Sequence, residues 1–211
     1  TREALQQRYP CPAYSVGVSD VELPALAFVA GPRSLVSDTC RSVITVGTMA
    51  QLYKAQGVLI DAVGVCVRAG LDVRLVLVGD GRHRAELAAR VAERQLTERV
   101  QFTGALPAGA TIRRALDEAD LFVLPSYQEG LPRAMLEAMA RGLPCLGSTV
   151  GGIPELLPAE DLVPPGDVAA LAAEIREVLL DGGRLARMSA RNLEVARQYR
   201  EDLLEEKRLA F

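Results

Sequence analysis

From residue 41 onward the chain alternates short apolar runs, rich in β-branched residues, with longer amphipathic segments. Runs that are apolar on both faces belong in the middle of a sheet covered on both sides, and strands that each lead into a helix pair in parallel. The pattern predicts strands over residues 42–46, 73–78, 100–102, 121–124, 144–146 and, more weakly, 161–163, with helices over 50–69, 82–94, 108–118, 132–141, 154–157 and 167–180. The expected architecture is an α/β fold, a doubly wound parallel sheet of Rossmann-like type with about six strands, over residues 40–182.

The flanks read differently. Residues 1–39 are expected to be an interdomain linker or the end of a missing N-terminal domain, with one helix over residues 1–9 before Pro10, Pro12, Pro24, Gly31 and Pro32 interrupt every period. Residues 183–211 read as a C-terminal helical segment, dense in charge, with Leu185, Met188, Leu193, Leu203, Leu204 and Leu209 as its apolar positions. The chain begins at Thr1 without a charged-then-apolar leader, so it is expected to be a piece of a longer protein.

Composition removes several functions. With 24 basic and 27 acidic residues among 211, there is no electrostatic case for nucleic acid as a partner. No apolar stretch approaches the ~18 to 20 residues that cross a bilayer. Cys11, Cys40, Cys66 and Cys145 form no C-x-x-C pair and His83 is the single histidine, which excludes zinc ribbons and two-histidine metal sites. A hydrolytic triad would have to use His83, which sits among arginines at a helix start. The chain has no tryptophan and few other aromatics, which argues against a sugar-stacking lectin surface. Unpaired cysteines suit a reducing, cytoplasmic setting.

In open α/β sheets ligands bind beyond the carboxyl ends of the strands. After the first strand stand Gly47, Thr48 and, seven residues past the glycine, Lys54, which taken alone is a solvated helix lysine. Gly79-Asp80-Gly81 resembles the start of a dinucleotide fingerprint, but the third glycine would fall at Arg84 and the motif follows the second strand, so binding of NAD has little support. His83 beside it reads as a surface residue. After the fourth strand, Gly130 permits close approach to a ligand and Pro132 suits a first helical turn. The N–H groups of Gly130, Leu131 and Arg133 would there make an anion site aided by the helix dipole, although an ordinary helix start fits as well. Glu129 would repel an anion, so it should meet a neutral, hydroxyl-bearing part of a ligand. On the helical wheel Glu137 lies opposite Leu131, Met135, Ala138 and Met139, where ion pairs with Arg133 and Arg141 worth ~0.3 to 0.5 kcal/mol would explain it. A second glycine turn at residues 148–155 is equally a plain turn or a second ligand loop.

Taken together, the run PSYQEGLPRAMLEAMARGLPCLGSTVGGIPE at residues 125–155 resembles the signature of the retaining, nucleotide-sugar-dependent glycosyltransferases of GT-B fold in the glycosyl transferases group 1 family. Its two glutamates separated by seven residues, the intervening glycine-leucine-proline and the later Gly-Gly-x-Pro-Glu are specific in combination. VGTMAQLYKAQGVLIDAV (46–63), LVLVGDG (75–81), VQFTG (100–104) and LVPPGD (162–167) are similar in order, so that the resemblance runs over about residues 43–180.

The resemblance implies that the chain is the C-terminal, donor-binding half of a two-domain enzyme, with the acceptor bound by the missing N-terminal domain. Carried onto this sequence, it implies that Lys54 contacts the donor diphosphate and Glu129 the transferred sugar. Glu137 would take the ribose hydroxyls and the backbone of Gly130, Leu131 and Pro132 the sugar and phosphates, while Leu106 would lie near the base. Glu129 and Lys54 are the implied catalytic residues, and Gly47 and Thr48 complete the loop. A carboxylate accepts two adjacent hydroxyls readily, and Lys54 with a helix N-terminus can stabilise a diphosphate leaving group without a metal. No cofactor is expected. The chain by itself should bind a nucleotide sugar weakly and transfer nothing. Two departures stand out: Thr48-Met49 where the family often has arginine in V-G-R-L, and Lys54-Ala55 where it often has lysine-glycine. Losing a phosphate-binding cation would cost ~1.5 to 3 kcal/mol, for which Arg133 is a candidate substitute. A sugar-nucleotide epimerase, a phosphorylase relative, a non-catalytic nucleotide-binding module and a dehydrogenase domain are the competing readings, and peripheral docking of the full-length protein on the cytoplasmic membrane face is left open.

Overall fold

The computed structural model describes residues 19–33 and 40–209. Six strands, β1 (Arg41–Val46), β2 (Val73–Val78), β3 (Val100–Gly104), β4 (Leu121–Leu124), β5 (Cys145–Ser148) and β6 (Leu162–Val163), form one sheet in the order β3-β2-β1-β4-β5-β6. Every neighbouring pair is parallel, and β1 runs beside β2 over its whole length, from Arg41 opposite Val73 to Val46 opposite Val78. This is the doubly wound order expected of strands that are apolar on both faces.

Period-two alternation divides the strand residues between two cores. Val43, Leu75, Leu77, Leu121 and Val123 point to one face, packed with α1 (Gln56–Arg68), α2 (Arg84–Glu93) and α5 (Val168–Leu180). Ile44, Val78, Phe122 and Leu124 point to the other, under α3 (Ala110–Asp117) and α4 (Arg133–Ala140). Phe122 is fully buried there. The two cores are separated by the sheet, and the helices on each side leave the carboxyl ends of β1 and β4 uncovered for their loops.

The C-terminal segment is two helices, α6 (Gly182–Arg197) and α7 (Glu201–Leu209). The N–H of Arg184 bonds the side chain of Asp181, which caps α6, and Arg184 and Arg191 of α6 reach the fully buried Asp161. Residues 19–33 lie on this assembly: Leu23 is buried, Leu23 N donates to Tyr199 O, and Val29 N donates to Ala140 O at the end of α4. Arg33 donates to the carbonyls of Leu116, Ala119 and Arg141, satisfying the carboxyl ends of α3 and α4 at once. Burial of its guanidinium lowers the pKa of Arg33. The helix anticipated at residues 1–9 lies outside the described residues.

Two sequence expectations are corrected. The helix expected over 50–69 is broken: a 3-10 turn spans Leu52–Lys54, Ala55 takes a left-handed conformation with φ 53°, and α1 begins only at Gln56. The segment expected to be helical over 154–157 is a single 3-10 turn, Ile153–Glu155, because Gly151 and Gly152 reverse the chain and Pro154 leaves too few residues for an α-helix before Pro158. Cys40, Cys66 and Cys145 are free thiols, and burial pushes the Cys66 thiol up to about 11.

Candidate functional site

Strands β1 and β4 are neighbours whose outgoing connections run to opposite faces of the sheet, which opens a crevice between their loops. The β1 loop enters through Gly47, whose N–H extends the pairing to Val78 O. It is seated on the β2 loop by Met49 N to Asp80 O (2.8 Å) and His83 N to Met49 O (3.1 Å), and Met49 is buried. A Cβ on Gly79 or Gly81 would collide with the backbone of residues 47–50, so the Gly79-Asp80-Gly81 sequence is a packing surface for this loop. Gln56, buried at the start of α1, donates its Nε2 to Thr48 O at 3.0 Å.

That loop aims Lys54 at the β4 loop. Tyr127 N donates to Tyr53 O at 2.7 Å, tying the two loops together, and Lys54 Nζ lies 2.7 and 2.9 Å from the two carboxylate oxygens of Glu129. The side chains are only 18% and 6% exposed, so Lys54 is no solvated lysine. Its stem lies over Gly47 and its ammonium 5.3 Å from the Tyr53 ring centroid. Ser126 Oγ donates to Glu129 Oε1 at 2.6 Å, and Ser148 Oγ in turn donates to Ser126 O.

The second glycine turn braces the first loop. Gly152 N donates to Gly130 O at 2.9 Å, and Gly151, with φ +55°, lies so close to Glu129 that a Cβ there would meet its carbonyl oxygen. Pro132, buried, precedes α4 as its cap residue without a side-chain cap bond, Leu131 is half-buried, and nothing lies within contact of a Cβ at Gly130. The start of α4 is therefore available to an anion.

One turn along α4, Glu137 accepts from Arg133 Nε at 3.1 Å, with the two side chains 26% and 60% exposed. The expected second pair with Arg141 does not form: Arg141 donates to both carboxylate oxygens of Asp117 at 2.8 and 2.9 Å and to Ala27 O. Leu136 and Ala140 are buried as well, so α4 is covered on more of its circumference than the sequence stripe suggested. Thr48 is exposed, and its hydroxyl is turned back onto its own loop, accepting from Ala50 N at 3.1 Å and facing Asp80 O at 3.4 Å. Leu106 is half-buried against the second core beside α3 and is not drawn to the Lys54–Glu129 pair by any contact.

The site thus unites Gly47, Lys54, Glu129 and Gly130, with Glu137 and Arg133 beside them. The sequence reading gave no role to Ser126, Tyr53 or Gln56, and it left the turn that holds Ser148 and Gly151 open between a plain turn and a second ligand loop. Among the described residues no group of three histidine, cysteine, aspartate or glutamate side chains is arranged to hold a metal ion, and no helix is long and apolar enough to cross a membrane.

Residues 40–181 match the glycosyl transferases group 1 family. The chain belongs to that family. It is 34% identical over 172 residues to the amylovoran biosynthesis glycosyltransferase AmsK of Erwinia amylovora, an alignment that takes in 77% of this chain and 42% of that protein. Among solved structures, HepE of Anabaena in complex with UDP and glucose superimposes with a TM-score of 0.74 at 25% identity, over 82% of this chain and 48% of that one. Sucrose-phosphate synthase of Thermosynechococcus elongatus does so with a TM-score of 0.76 at 25% identity, over 99% of this chain and 55% of that one. The fold is that of one α/β domain of a GT-B glycosyltransferase. The chain spans less than half the length of the curated relatives that it matches.

Proposed function

We propose that this chain is the donor-binding half of a retaining glycosyltransferase that moves a sugar from a nucleotide-diphosphate sugar to a glycan, lipid or small-molecule acceptor in polysaccharide or glycoconjugate biosynthesis. The observation that carries the reading is the Lys54–Glu129 pair at the crevice between β1 and β4, next to an uncapped helix start. The HepE complexes with UDP, with UDP and glucose and with UDP-glucose support a nucleotide sugar as the ligand.

In this reading the donor diphosphate lies at the start of α4 and draws Lys54 toward itself, while Glu129 exchanges the ammonium for hydroxyls of the sugar. The bond between the anomeric carbon and the β-phosphate oxygen breaks, and its electron pair leaves with the nucleoside diphosphate. Lys54 and the N–H groups of Gly130, Leu131 and Arg133 stabilise that developing charge, so no metal ion is needed. The acceptor hydroxyl, presented by a partner domain, attacks the face that the leaving group vacates and passes its proton to the departing β-phosphate oxygen. Ser126, bonded to Glu129, keeps the carboxylate oriented when Lys54 withdraws. Glu137 accepts the ribose hydroxyls once Arg133 moves off it.

Thermal shift and calorimetric titration with UDP, GDP, ADP and their sugars, with magnesium or with EDTA, test the reading. One nucleotide series should stabilise the chain, survive EDTA and lose its effect in Glu137→Ala. Stabilisation by no nucleotide at millimolar concentration would sink it. A non-catalytic nucleotide-binding module is the second reading, favoured by an exposed Thr48 whose hydroxyl is engaged by its own loop. It predicts the same binding without transfer when the full-length protein receives an acceptor.

A further inference from the structure

The charged side chains of the candidate site cancel: Lys54 is held by Glu129 and Arg133 by Glu137. A nucleoside diphosphate brings at least one negative charge per phosphate into this neutral group, and Thr48 contributes none. We infer that Arg82, on the β2 loop, is a second cation that meets the donor diphosphate together with Lys54.

The inference rests on the donor-site reading and on three observations. First, the β2 loop is interlocked with the β1 loop, through Met49 N to Asp80 O, His83 N to Met49 O and the backbone of Gly81 against Met49 and Ala50. Arg82 therefore follows, within one residue, a point of direct contact with the loop that carries Thr48. Second, Arg82 is exposed, and among the described residues its side chain makes one bond, Nε to His83 Nε2 at 3.2 Å. Among the described residues no carboxylate pairs with it, so both terminal nitrogens keep their N–H donors for a bidentate anion contact. Third, the other charges of that loop are engaged. Asp80 is held by Gly81 N and by Arg84 at 3.6 Å, Arg84 also lies over the Phe102 ring, and His83 Nδ1 is 2.8 Å from Glu86. His83, bonded on both ring nitrogens, fixes the direction in which the Arg82 guanidinium leaves the loop.

The test is an NMR titration to millimolar concentration with UDP, GDP and ADP, followed by the monophosphate and the nucleoside of whichever binds. Arg82→Ala should weaken the diphosphate at least about tenfold while leaving the nucleoside unchanged, and Arg82→Lys should recover part of the loss. Arg68→Ala, the same charge change on an exposed residue at the far end of α1, should leave all three affinities as they were. Diphosphate binding by Arg82→Ala equal to that of the unaltered chain would overturn the inference and leave the donor-site reading standing. An equal loss of nucleoside and diphosphate would also overturn it, because the role would then be structural. No diphosphate binding by the unaltered chain would remove both.

Discussion

Lys54 Nζ sits 2.7 and 2.9 Å from the two carboxylate oxygens of Glu129, a residue 75 positions away in sequence, and only 6% of the Glu129 side chain is exposed. Each side chain therefore supplies most of the other's solvation. Removing one partner leaves a largely buried charge uncompensated, whereas removing both leaves none. Lys54→Met and Glu129→Gln are each expected to destabilise the ligand-free domain by about 1–3 kcal/mol, and the double variant by clearly less than their sum. Urea denaturation of the four proteins gives the coupling energy. Strict additivity would show that the pair contributes nothing to the fold.

The turn that aims Lys54 contains its own strain. Ala55 is left-handed with φ 53°, a conformation that places an alanine Cβ against the backbone and costs roughly 1–2 kcal/mol. Glycine would relieve that strain at some cost in unfolded-chain entropy. Ala55→Gly should therefore stabilise the domain by about 0.5–1 kcal/mol with no change at the site, read as a shift of the denaturation midpoint at constant slope. A destabilised variant would show that the buried Ala55 methyl outweighs the backbone strain.

That same turn shows where sequence reasoning stops. The strands were legible because a two-sided apolar run has few alternatives; the runs at 73–78 and 121–124 coincide with β2 and β4. The break at Ala55 was not, because alanine is a good helix former and only the shape of the loop requires it to be left-handed. The wheel put Glu137 opposite the apolar stripe with arginines on either side, and nothing local reveals that Asp117, on another helix, takes Arg141 away. Lys54 and Glu129 each stand out in the loop after their strand, but only the resemblance to a family assigns them to one site, since their proximity is a property of two loops and not of either segment's periodicity.

Gly151 carries a further expectation. Its positive φ and its contact with the Glu129 carbonyl leave no room for a side chain. Gly151→Ala must move the β4 loop, break the Gly152 N to Gly130 O bond, or both. We expect a loss of about 2 kcal/mol or more, and weaker nucleotide binding than the stability loss alone accounts for. Gly31→Ala, at a half-buried position where no described atom lies within 4 Å of a Cβ, is the control. Equal behaviour of the two variants would show that the brace is dispensable.

Asp61 of α1 sets an acid limit on the fold. Burial by itself would raise its pKa, but bonds from Arg90 Nε at 3.0 Å, on α2, and Arg94 Nε at 2.8 Å, the residue that ends α2, outweigh burial and hold the carboxyl below its ordinary value. With the folded value depressed below the unfolded one, the unfolded chain binds the proton first as pH falls. The contribution is therefore complete above the unfolded aspartate value of about 4 and disappears as pH drops through the folded value. Denaturation midpoints measured between neutral pH and pH 3 should fall on the acid side, and Asp61→Asn should begin less stable at neutral pH and lose less on acidification. If the two proteins lose stability in parallel, the α1–α2 clamp is not the group that titrates.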